Sequence, residues 1–448
     1  MSEQSTNEEQ KLTWWQLSLI GIGSTIGTGY FLGSVIAIQR TGQGVIFAYL
    51  VAGIGTFFVF SALAQMAAED PQEGSFRTYA RKAFGREAGF ATGWIYWISE
   101  MLIMGSQLTA LSLLTKFWFP DAPLWIFTLG YGILGILVLL IGTRGFEKSQ
   151  NVFAIIKIAA LLMFLILASL VLFGFFGGSR TDFSLPRAQS DFLPQGITGL
   201  WSGLIFGFYA FGGIEIMGMM SPRLRRKEDI FKAGTVMVIT LTVIYMLSFF
   251  MATGLAARED FSTKESPFIT ALSDYNIKFF PHFFTGGIII AGFSTLAASL
   301  FAVTVMVETL AKDGDAPELF ARRTKLKVSP YALLLTAGGL AVSIFFSFII
   351  PDRVYEYVTA AASLIILYIW IGIVVTAKKL RPEKNRSWWK VYPGIGLLLV
   401  AIIGSTLQRE SRHGFFISLL FLLAIFLLML IRRFVENRKG RRPDLKWS

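Results

Sequence analysis

Long apolar stretches alternate with short polar or charged segments along almost the whole chain. Many of the apolar stretches contain roughly eighteen or more residues, which is enough for a helix to cross a hydrocarbon layer about 30 Å thick. Charges, prolines and glycines bound twelve of them. Their approximate limits are 14–38, 43–67, 88–115, 124–142, 150–176, 195–220, 231–257, 283–311, 331–350, 354–377, 391–408 and 415–433. The pattern predicts an all-α polytopic membrane protein with twelve transmembrane helices.

The composition agrees with a membrane protein and argues against several other classes. Hydrophobic residues form 54% of the 448 residues and charged residues only 16%, whereas about a quarter of the residues in a soluble domain are charged. The chain has no cysteine and two histidines, so we expect no disulfide framework, no cysteine nucleophile and no metal site. No phosphate-binding loop, nucleotide fingerprint or catalytic triad is recognisable. We therefore expect no cofactor, no enzymatic activity and no use of ATP.

The net charge of +12 is explained by the position of the basic residues. About three quarters of the 41 Lys and Arg residues fall in the two tails and in the alternate loops on the same side. This bias follows the positive-inside rule and predicts a plasma-membrane protein with both termini in the cytoplasm. Because the basic residues are spread over short loops, we expect the lipid bilayer, and not a nucleic acid, as the partner of this surface.

Two predicted spans contain unusual runs of glycine near the middle of the membrane. The first span holds four glycines between Gly21 and Gly29, and the sixth span holds three between Phe206 and Glu215. Glycine costs about 1 kcal/mol relative to alanine inside a helix, so each run is a candidate helix break. Close helix packing through Gly-x-x-x-Gly pairs is the alternative interpretation.

The positions of the two glycine runs favour a transport site. They open two five-span halves that begin on opposite sides of the membrane, and matched interrupted segments are typical of transporters with an inverted repeat. An unwound backbone at that depth is tolerated where it lines a cavity. Helix N-termini attract a carboxylate and helix C-termini attract an ammonium group, so such a site suits an α-amino acid.

Seven motifs along the chain point to a known protein family. They are Gly23–Gly33, Gly74–Ala80, Gly93–Trp97, Phe153–Lys157, Phe211–Glu215, Ser266–Phe268 and Leu310–Pro317. In this order they resemble the amino acid–polyamine–organocation superfamily, and within it the bacterial amino acid permeases. The resemblance covers roughly residues 12–330. It implies a leucine-transporter-like fold, with a 5+5 inverted repeat, broken first and sixth helices and two peripheral helices.

On this basis the chain is divided into a transport core and flanking segments. Residues 1–13 are expected to form a cytoplasmic tail, 14–380 the core, 388–433 the two peripheral helices and 434–448 a basic cytoplasmic tail. The two repeats are placed at about 14–176 and 195–380. The chain departs from the pattern of the family at Gln65, Gln107 and Met219–Met220, where the family typically carries acidic residues.

The resemblance, together with the helix-end argument, implies an amino acid site at the two breaks. In the break of the first span the expected residues are Ile22, Gly23, Ser24, Thr25, Ile26 and Gly27. In the break of the sixth span they are Phe206, Tyr209, Ala210 and Phe211. Ile103, Met104 and Gln107 of the third span are expected to face the substrate side chain. Glu100 lies on the same helix face, two turns before Gln107, either in the pocket or bonded to a neighbouring helix.

Three further features are expected to take part in gating. Tyr209 is expected to cover the bound substrate from outside, with ordinary packing as the alternative. The external stretch Ser266–Lys278 is expected to form a lid over the outer vestibule. Glu215 is interpreted as holding the broken sixth helix by accepting backbone N–H bonds, with an intracellular salt bridge as the alternative.

Lys157 is the only basic residue well inside a predicted span. It lies seven residues after position 150, about 10 Å along the helix. One interpretation is a lysine that extends to the lipid interface. The family match implies instead that its ammonium takes the place of a coupling cation, between carbonyls near Gly21 and Ile22 and hydroxyls such as Thr295 or Ser299. Such a lysine could load and release a proton.

The sequence as a whole predicts a secondary active amino acid transporter. The apolar side chains near the breaks favour neutral or hydrophobic amino acids, taken up by alternating access in symport with a proton. Sodium is the alternative coupling ion. A transporter of cationic amino acids or polyamines stays open because Glu100 could pair with a cation, and a transport-incompetent membrane sensor is a further alternative.

Overall fold

The protein is built from helices packed side by side. The computed structural model describes residues 11–176, 192–262, 265–322, 329–349, 354–380, 388–407 and 409–438. The outer parts of the two predicted tails, 1–10 and 439–448, lie outside the described residues. Within the described ranges the all-helical prediction is confirmed.

Most helices are apolar on all sides, as expected for elements surrounded by lipid and by one another. In chain order they are α1 (Trp14–Thr25), α2 (Thr28–Phe31), α3 (Gly33–Thr41), α4 (Val45–Glu69), α5 (Ser75–Phe84), α6 (Arg86–Thr115), α7 (Leu124–Leu140), α8 (Thr143–Leu172), α9 (Gly196–Tyr209), α10 (Ile214–Met220), α11 (Asp229–Leu255), α12 (Pro267–Leu272), α13 (Phe280–Lys312), α14 (Pro330–Ile349), α15 (Val354–Leu380), α16 (Trp388–Ser405) and α17 (Arg409–Arg438).

Eight helical stretches in the described part of the chain are long and apolar enough to cross a membrane. They are Thr28–Glu69, Arg86–Thr115, Gly145–Leu172, Gly196–Arg223, Asp229–Leu255, Phe280–Lys312, Tyr357–Leu380 and Ser411–Phe434. Three shorter apolar helices are Leu124–Leu140, Pro330–Phe345 and Tyr392–Ser405. The exact number of twelve spans and the inverted repeat stay predictions.

Both glycine runs interrupt their helices. α1 ends at Thr25, Ile26 and Gly27 are extended, and α2 begins at the next residue. α9 ends at Tyr209 and α10 begins only after Gly213, whose φ of 110° is a conformation that favours glycine. The helices are therefore discontinuous where the sequence predicted breaks.

The two broken helices lie in the centre of the bundle. α1 packs against α8, α10, α11 and α13, whereas α9 packs against α3, α4 and α16. α17 packs against α15 and α6 and leaves apolar side chains such as Phe416 and Leu420 largely exposed. An apolar surface of this kind is suited to contact with lipid tails.

The segment before α1 is attached to the segment after α10. The N–H of Leu12 donates to the Arg223 carbonyl at 2.8 Å, and the N–H of Arg225 donates to the Leu12 carbonyl at 2.9 Å. This isolated bridge between Leu12 and Leu224 connects the start of the first broken helix to the end of the second.

A cluster of arginines surrounds Asp315, a fully buried carboxylate just after α13. Arg77 of α5 is itself buried and binds both Asp313 and Asp315. Arg86 of α6 and Arg432 of α17 each lie 2.9 Å from an Asp315 oxygen. The cluster therefore joins α5, α6 and α17 to the end of α13.

Candidate functional site

A narrow cavity lies where the two helix breaks meet α6, α13 and α15. Its lining residues are Ser24, Thr25, Gly27, Gly29, Tyr30, Glu100, Ile103, Gln107, Tyr209, Gly212, Gly213, Ile216, Thr295, Ser299 and Ile366. The volume of about 30 Å³ is far below the roughly 300–1,000 Å³ of most ligand pockets. The walls must therefore part to admit an amino acid. A larger cleft of about 290 Å³ at the ends of α3 and α11 is lined by neither helix break.

The backbone of the first break offers donors to the cavity region. The N–H groups of Gly27, Thr28 and Gly29 have no acceptor among the residues that the structure describes. They stand at the start of the helical segment that continues through α2 into α3, where unpaired N–H groups and the helix dipole favour an anion. This geometry fits the carboxylate of an amino acid.

Three side chains in the cavity wall, Thr25, Tyr30 and Gln107, carry unpaired polar atoms in the part of the chain that the structure describes. The Thr25 and Tyr30 hydroxyls and the Gln107 amide oxygen Oε1 are buried and have no hydrogen-bond partner in the described ranges, and all three side chains are more than nine-tenths buried. An unpaired buried polar group costs about 1–3 kcal/mol. The wall is therefore suited to a ligand that has its own hydrogen-bond donors and acceptors.

Lys157 reaches the first break from α8. Its buried ammonium donates a hydrogen bond to the Gly23 carbonyl, and the Ser294 hydroxyl of α13 donates to the same oxygen at 3.0 Å. The Gln150 amide nitrogen of α8 donates to the Ser294 carbonyl at 2.9 Å, and the Gln150 Oε1, 2.8 Å from the Ser294 hydroxyl, is the alternative acceptor of its single proton. Side chains of two helices, α8 and α13, thus meet at one carbonyl near the end of α1.

This network differs in detail from the expected one. The carbonyl that Lys157 contacts belongs to Gly23, not to Gly21 or Ile22, and Gly21 lies against methionines of α10 and α11 instead. The hydroxyl comes from Ser294, whereas Thr295 and Ser299 line the cavity. The coupling role of Lys157 stays a prediction.

The other predicted residues fall into two groups. The cavity wall contains Ser24, Thr25, Gly27, Glu100, Ile103, Gln107 and Tyr209. The buried residues outside the wall are Ile22, Gly23, Ile26, Met104, Phe206, Ala210 and Phe211. Met104 packs in a separate apolar cluster with Leu108 and Leu300, because neighbouring residues on a helix point about 100° apart.

Tyr209 lies directly on the first break. A Cβ at Gly29 would stand 2.5 Å from the Tyr209 ring, so only glycine allows this approach. The Tyr209 hydroxyl lies 3.5 Å from the Ser106 hydroxyl of α6. The ring therefore closes part of the cavity wall, which is the place expected of an aromatic cover.

The predicted lid segment contacts a residue of the cavity wall. Phe268 of α12 is fully buried, and its ring centroid lies 5.3 Å from that of Tyr30. Tyr30 in turn stacks on Tyr245 with ring centroids 4.0 Å apart. This aromatic column connects the segment around α12 to the cavity.

Glu215 connects the second break to α15. Its Oε2 accepts a hydrogen bond of 2.8 Å from the Gly213 N–H, and its Oε1 accepts one from the Trp370 indole N–H. The side chain is fully buried. Each carboxyl oxygen therefore accepts a hydrogen bond from an N–H group of the protein. The interpretation of Glu215 as a support of the break requires such bonds.

Several residues of this region were absent from the sequence-based site. Ser294, Gln150, Trp370 and Ile366 belong to spans other than the two with the glycine runs, whereas Tyr30 directly follows the run of the first span. Gln150 offered the clearest hint, because it is a polar residue at the start of an apolar stretch.

Comparison with known families decides the class of protein. The model of the family described as "Amino acid permease" matches residues 16–431. This chain belongs to the amino acid permease family. The resemblance found in the sequence is thereby confirmed, and the permease is an integral membrane protein from a family of transporters, not of enzymes.

Similar proteins cover nearly the whole permease. An uncharacterized transporter of Bacillus subtilis, YcgH, is 48% identical over 430 residues, 96% of each chain. The aromatic amino acid transport protein AroP of Corynebacterium glutamicum is 30% identical over 447 residues, also 96% of each chain. A gamma-aminobutyric acid permease of B. subtilis is 27% identical over 389 residues, 86% of this chain and 83% of its own.

Proposed function

We propose that this permease takes up neutral, hydrophobic amino acids, with aromatic ones as the first candidates, by proton-coupled alternating access. The observation that carries the proposal is the cavity at the two helix breaks, where unpaired backbone donors lie near the apolar side chains Ile103, Ile216 and Ile366. Twelve spans in a 5+5 inverted repeat, in the plasma membrane with both termini in the cytoplasm, complete the proposed arrangement.

The backbone of the breaks is proposed to bind the α-amino and α-carboxylate groups. The N–H groups of Gly27, Thr28 and Gly29 would receive the carboxylate, because they lack other acceptors among the described residues. Carbonyls at the C-terminal ends of α1 and α9 would receive the ammonium. These contacts are common to all amino acids and therefore leave selectivity to the rest of the wall.

One part of the cavity wall is apolar and supports a hydrophobic substrate side chain. Ile103, Ile216 and Ile366 line the cavity beside the Tyr209 ring, and a cationic side chain would need a counter-charge there. The similarity to a protein named as an aromatic amino acid transporter agrees with a large apolar substrate. Glu100 in the same wall is the one observation that favours cationic amino acids as the second candidate.

Lys157 is proposed to couple transport to the proton gradient. Its ammonium holds the Gly23 carbonyl at the end of α1, so gain or loss of its proton would change how firmly the first break is held. Burial penalises the charged form, whereas a carbonyl ligand favours it. A change of access between the two sides of the membrane could therefore load and unload this site.

Uptake into proteoliposomes tests both parts of the proposal. A pH gradient should drive accumulation of labelled phenylalanine, and unlabelled phenylalanine and leucine should compete better than lysine or arginine. Lys157→Ala should lose gradient-driven uptake but retain exchange. Lys82→Ala, at an exposed lysine of α5, is the matched control and should behave as wild type.

Two results would contradict the proposal. Competition by lysine and arginine alone would replace the hydrophobic substrate by a cationic one. Accumulation driven by a sodium gradient and not by a pH gradient would replace the proton by sodium.

A further inference from the structure

Glu100 is a buried carboxyl group that the mechanism above does not use. It lies on α6 in the wall of the cavity and is 4% exposed. The Ser299 hydroxyl of α13 and the Tyr96 hydroxyl of its own helix face it. The group therefore lies where a substrate arrives, between two helices that line the cavity.

The charged and titratable groups around Glu100 are acidic or neutral. Tyr96 faces it from α6, Tyr209 from α9 and Glu215 from α10, while α13 contributes the Ser299 hydroxyl. No Lys or Arg pairs with it in the part of the chain that the structure describes. Lys157 is bound instead to the Gly23 carbonyl, which is not part of the cavity wall.

A carboxylate in this position is costly unless it binds a cation. Removing a carboxylate from water without a partner costs several kcal/mol, so the group takes up a proton instead. Glu215 differs, because both of its oxygens accept N–H bonds. Of the two neighbouring carboxyl groups, Glu100 is therefore the one that carries the proton.

We propose that Glu100 is a second proton site of this permease, in the wall of the substrate cavity, which is loaded and unloaded in every transport cycle. This rests on the proton coupling proposed above. With the cavity closed, Glu100 is a neutral carboxylic acid beside Ser299. When the cavity opens to the cytoplasm and fills with water, the O–H bond breaks, the proton passes to water and a solvated carboxylate remains. Together with Lys157, this predicts about two protons for each substrate.

The test is the number of protons that cross with each substrate. Wild type in proteoliposomes should move about two protons per labelled phenylalanine, measured with a pH-sensitive dye. Glu100→Gln, which imitates the protonated acid permanently, should move about one. The KM for phenylalanine should change less than threefold, because the amide keeps the size and neutrality of the acid.

Glu308→Gln is the matched control. Glu308 lies on α13, is 2% exposed, and accepts the Ser329 N–H at 2.7 Å. It lies nine residues beyond Ser299, about 13 Å further along the helix, and does not line the cavity. This variant should keep the ratio of wild type.

The outcomes separate the two proposals. No proton movement in wild type would defeat the proposed coupling itself. If wild type is coupled to protons and Glu100→Gln moves the same number of protons per substrate, only the role of Glu100 is overturned. If, at that unchanged ratio, the KM of Glu100→Gln for phenylalanine is more than tenfold higher, the carboxylate binds the substrate ammonium instead. If Glu100→Gln does not reach the membrane, Glu100→Asp decides: a displaced pH profile of uptake supports the second site, and an unchanged profile overturns it.

Discussion

The carbonyl oxygen of Ser24 lies so close to Gly213 that a Cβ at this glycine would stand 2.6 Å from it. The Ser24 hydroxyl also lies 3.5 Å from the Gly213 carbonyl. The two helix breaks therefore touch through their backbones, with no side chain between them. A movement of one break at this contact must therefore displace the other.

Gly27→Ala should abolish most of the uptake while the protein stays in the membrane. The new Cβ would stand 2.6 Å from the Thr295 hydroxyl and 2.8 Å from its methyl group. Overpacking of this kind costs about 1–3 kcal/mol. This corresponds to a roughly ten- to hundredfold loss of the initial uptake rate. Gly27→Val, with two further carbons, should be inactive. The measurement is initial uptake at matched protein amounts.

A second substitution shows whether this contact is the cause. Thr295→Ala removes both atoms nearest to the new Cβ, so the Gly27→Ala/Thr295→Ala double variant should recover part of the lost uptake. Gly372→Ala on α15 has no atom within 4 Å of its new Cβ and should be tolerated. Full activity of Gly27→Ala alone would show that the break has space to spare.

Tyr209→Ala should shorten the residence of bound substrate more than it lowers the amount of protein. The ring closes the cavity above Gly29, and loss of a buried aromatic contact is worth about 1.5–3 kcal/mol, so dissociation should be about tenfold faster or more. Tyr209→Phe keeps the ring and loses only a long 3.5 Å contact with Ser106, and should resemble wild type. Unchanged dissociation in Tyr209→Ala would indicate ordinary packing.

Glu215 and Trp370 should be coupled in a double-mutant cycle of thermal stability. Glu215→Gln places an amide where the carboxylate accepted N–H groups from both Gly213 and Trp370, and Trp370→Phe removes one of the two donors. Hydrogen bonds to charged groups are worth about 1.5–3 kcal/mol. The stability that the double variant loses should therefore be smaller than the sum of the losses in the two single variants. Strict additivity would show that the two side chains do not depend on each other.

Asp315→Asn should destabilise the protein strongly. The buried carboxylate holds Arg77, Arg86 and Arg432, and breaking a buried charge pair costs about 3–5 kcal/mol because the partner is left without a counter-charge. Lys82→Ala breaks an exposed pair with Asp70 and should cost less than about 1 kcal/mol. If Asp315→Asn and Lys82→Ala lowered the unfolding temperature by the same amount, this ranking would be contradicted.

The helix breaks were predictable from the sequence because their cause is local. Glycine weakens a helix at its own position, and the runs at Gly21–Gly29 and Phe206–Glu215 coincide with the interruptions after Thr25 and Tyr209. The membrane character and the family were predictable for a similar reason, since both depend on composition and short motifs.

The contacts of individual side chains were not predictable, because the rotation of a buried helix is not encoded in a periodic pattern. α13 is apolar all round, so nothing in its sequence indicates which hydroxyl shares the Gly23 carbonyl with Lys157. Ser294 does so and Thr295 faces the cavity, a difference of one residue and about 100° of rotation. The same ambiguity placed Met104 beside Ile103 in the expected pocket.

One short helix was overlooked although its signal was present. The segment that forms α5 lies between the predicted spans 43–67 and 88–115, and its charges Arg77, Arg81 and Lys82 interrupt any long apolar run. Phe76, Tyr79 and Ala80 are nevertheless spaced as on one face of a helix, and all three are buried. A search limited to spans long enough for the bilayer misses amphipathic helices of this length.

The bridge between Leu12 and Leu224 has a consequence for biosynthesis. Arg225, which completes it, follows Leu12 by 213 residues, and at a synthesis rate of about 5–20 residues per second it emerges roughly 10–40 s later. The bridge can therefore form only after the 213 residues that follow Leu12 have been added. The start of the first broken helix can therefore be tied to the end of the second only after both have been synthesised.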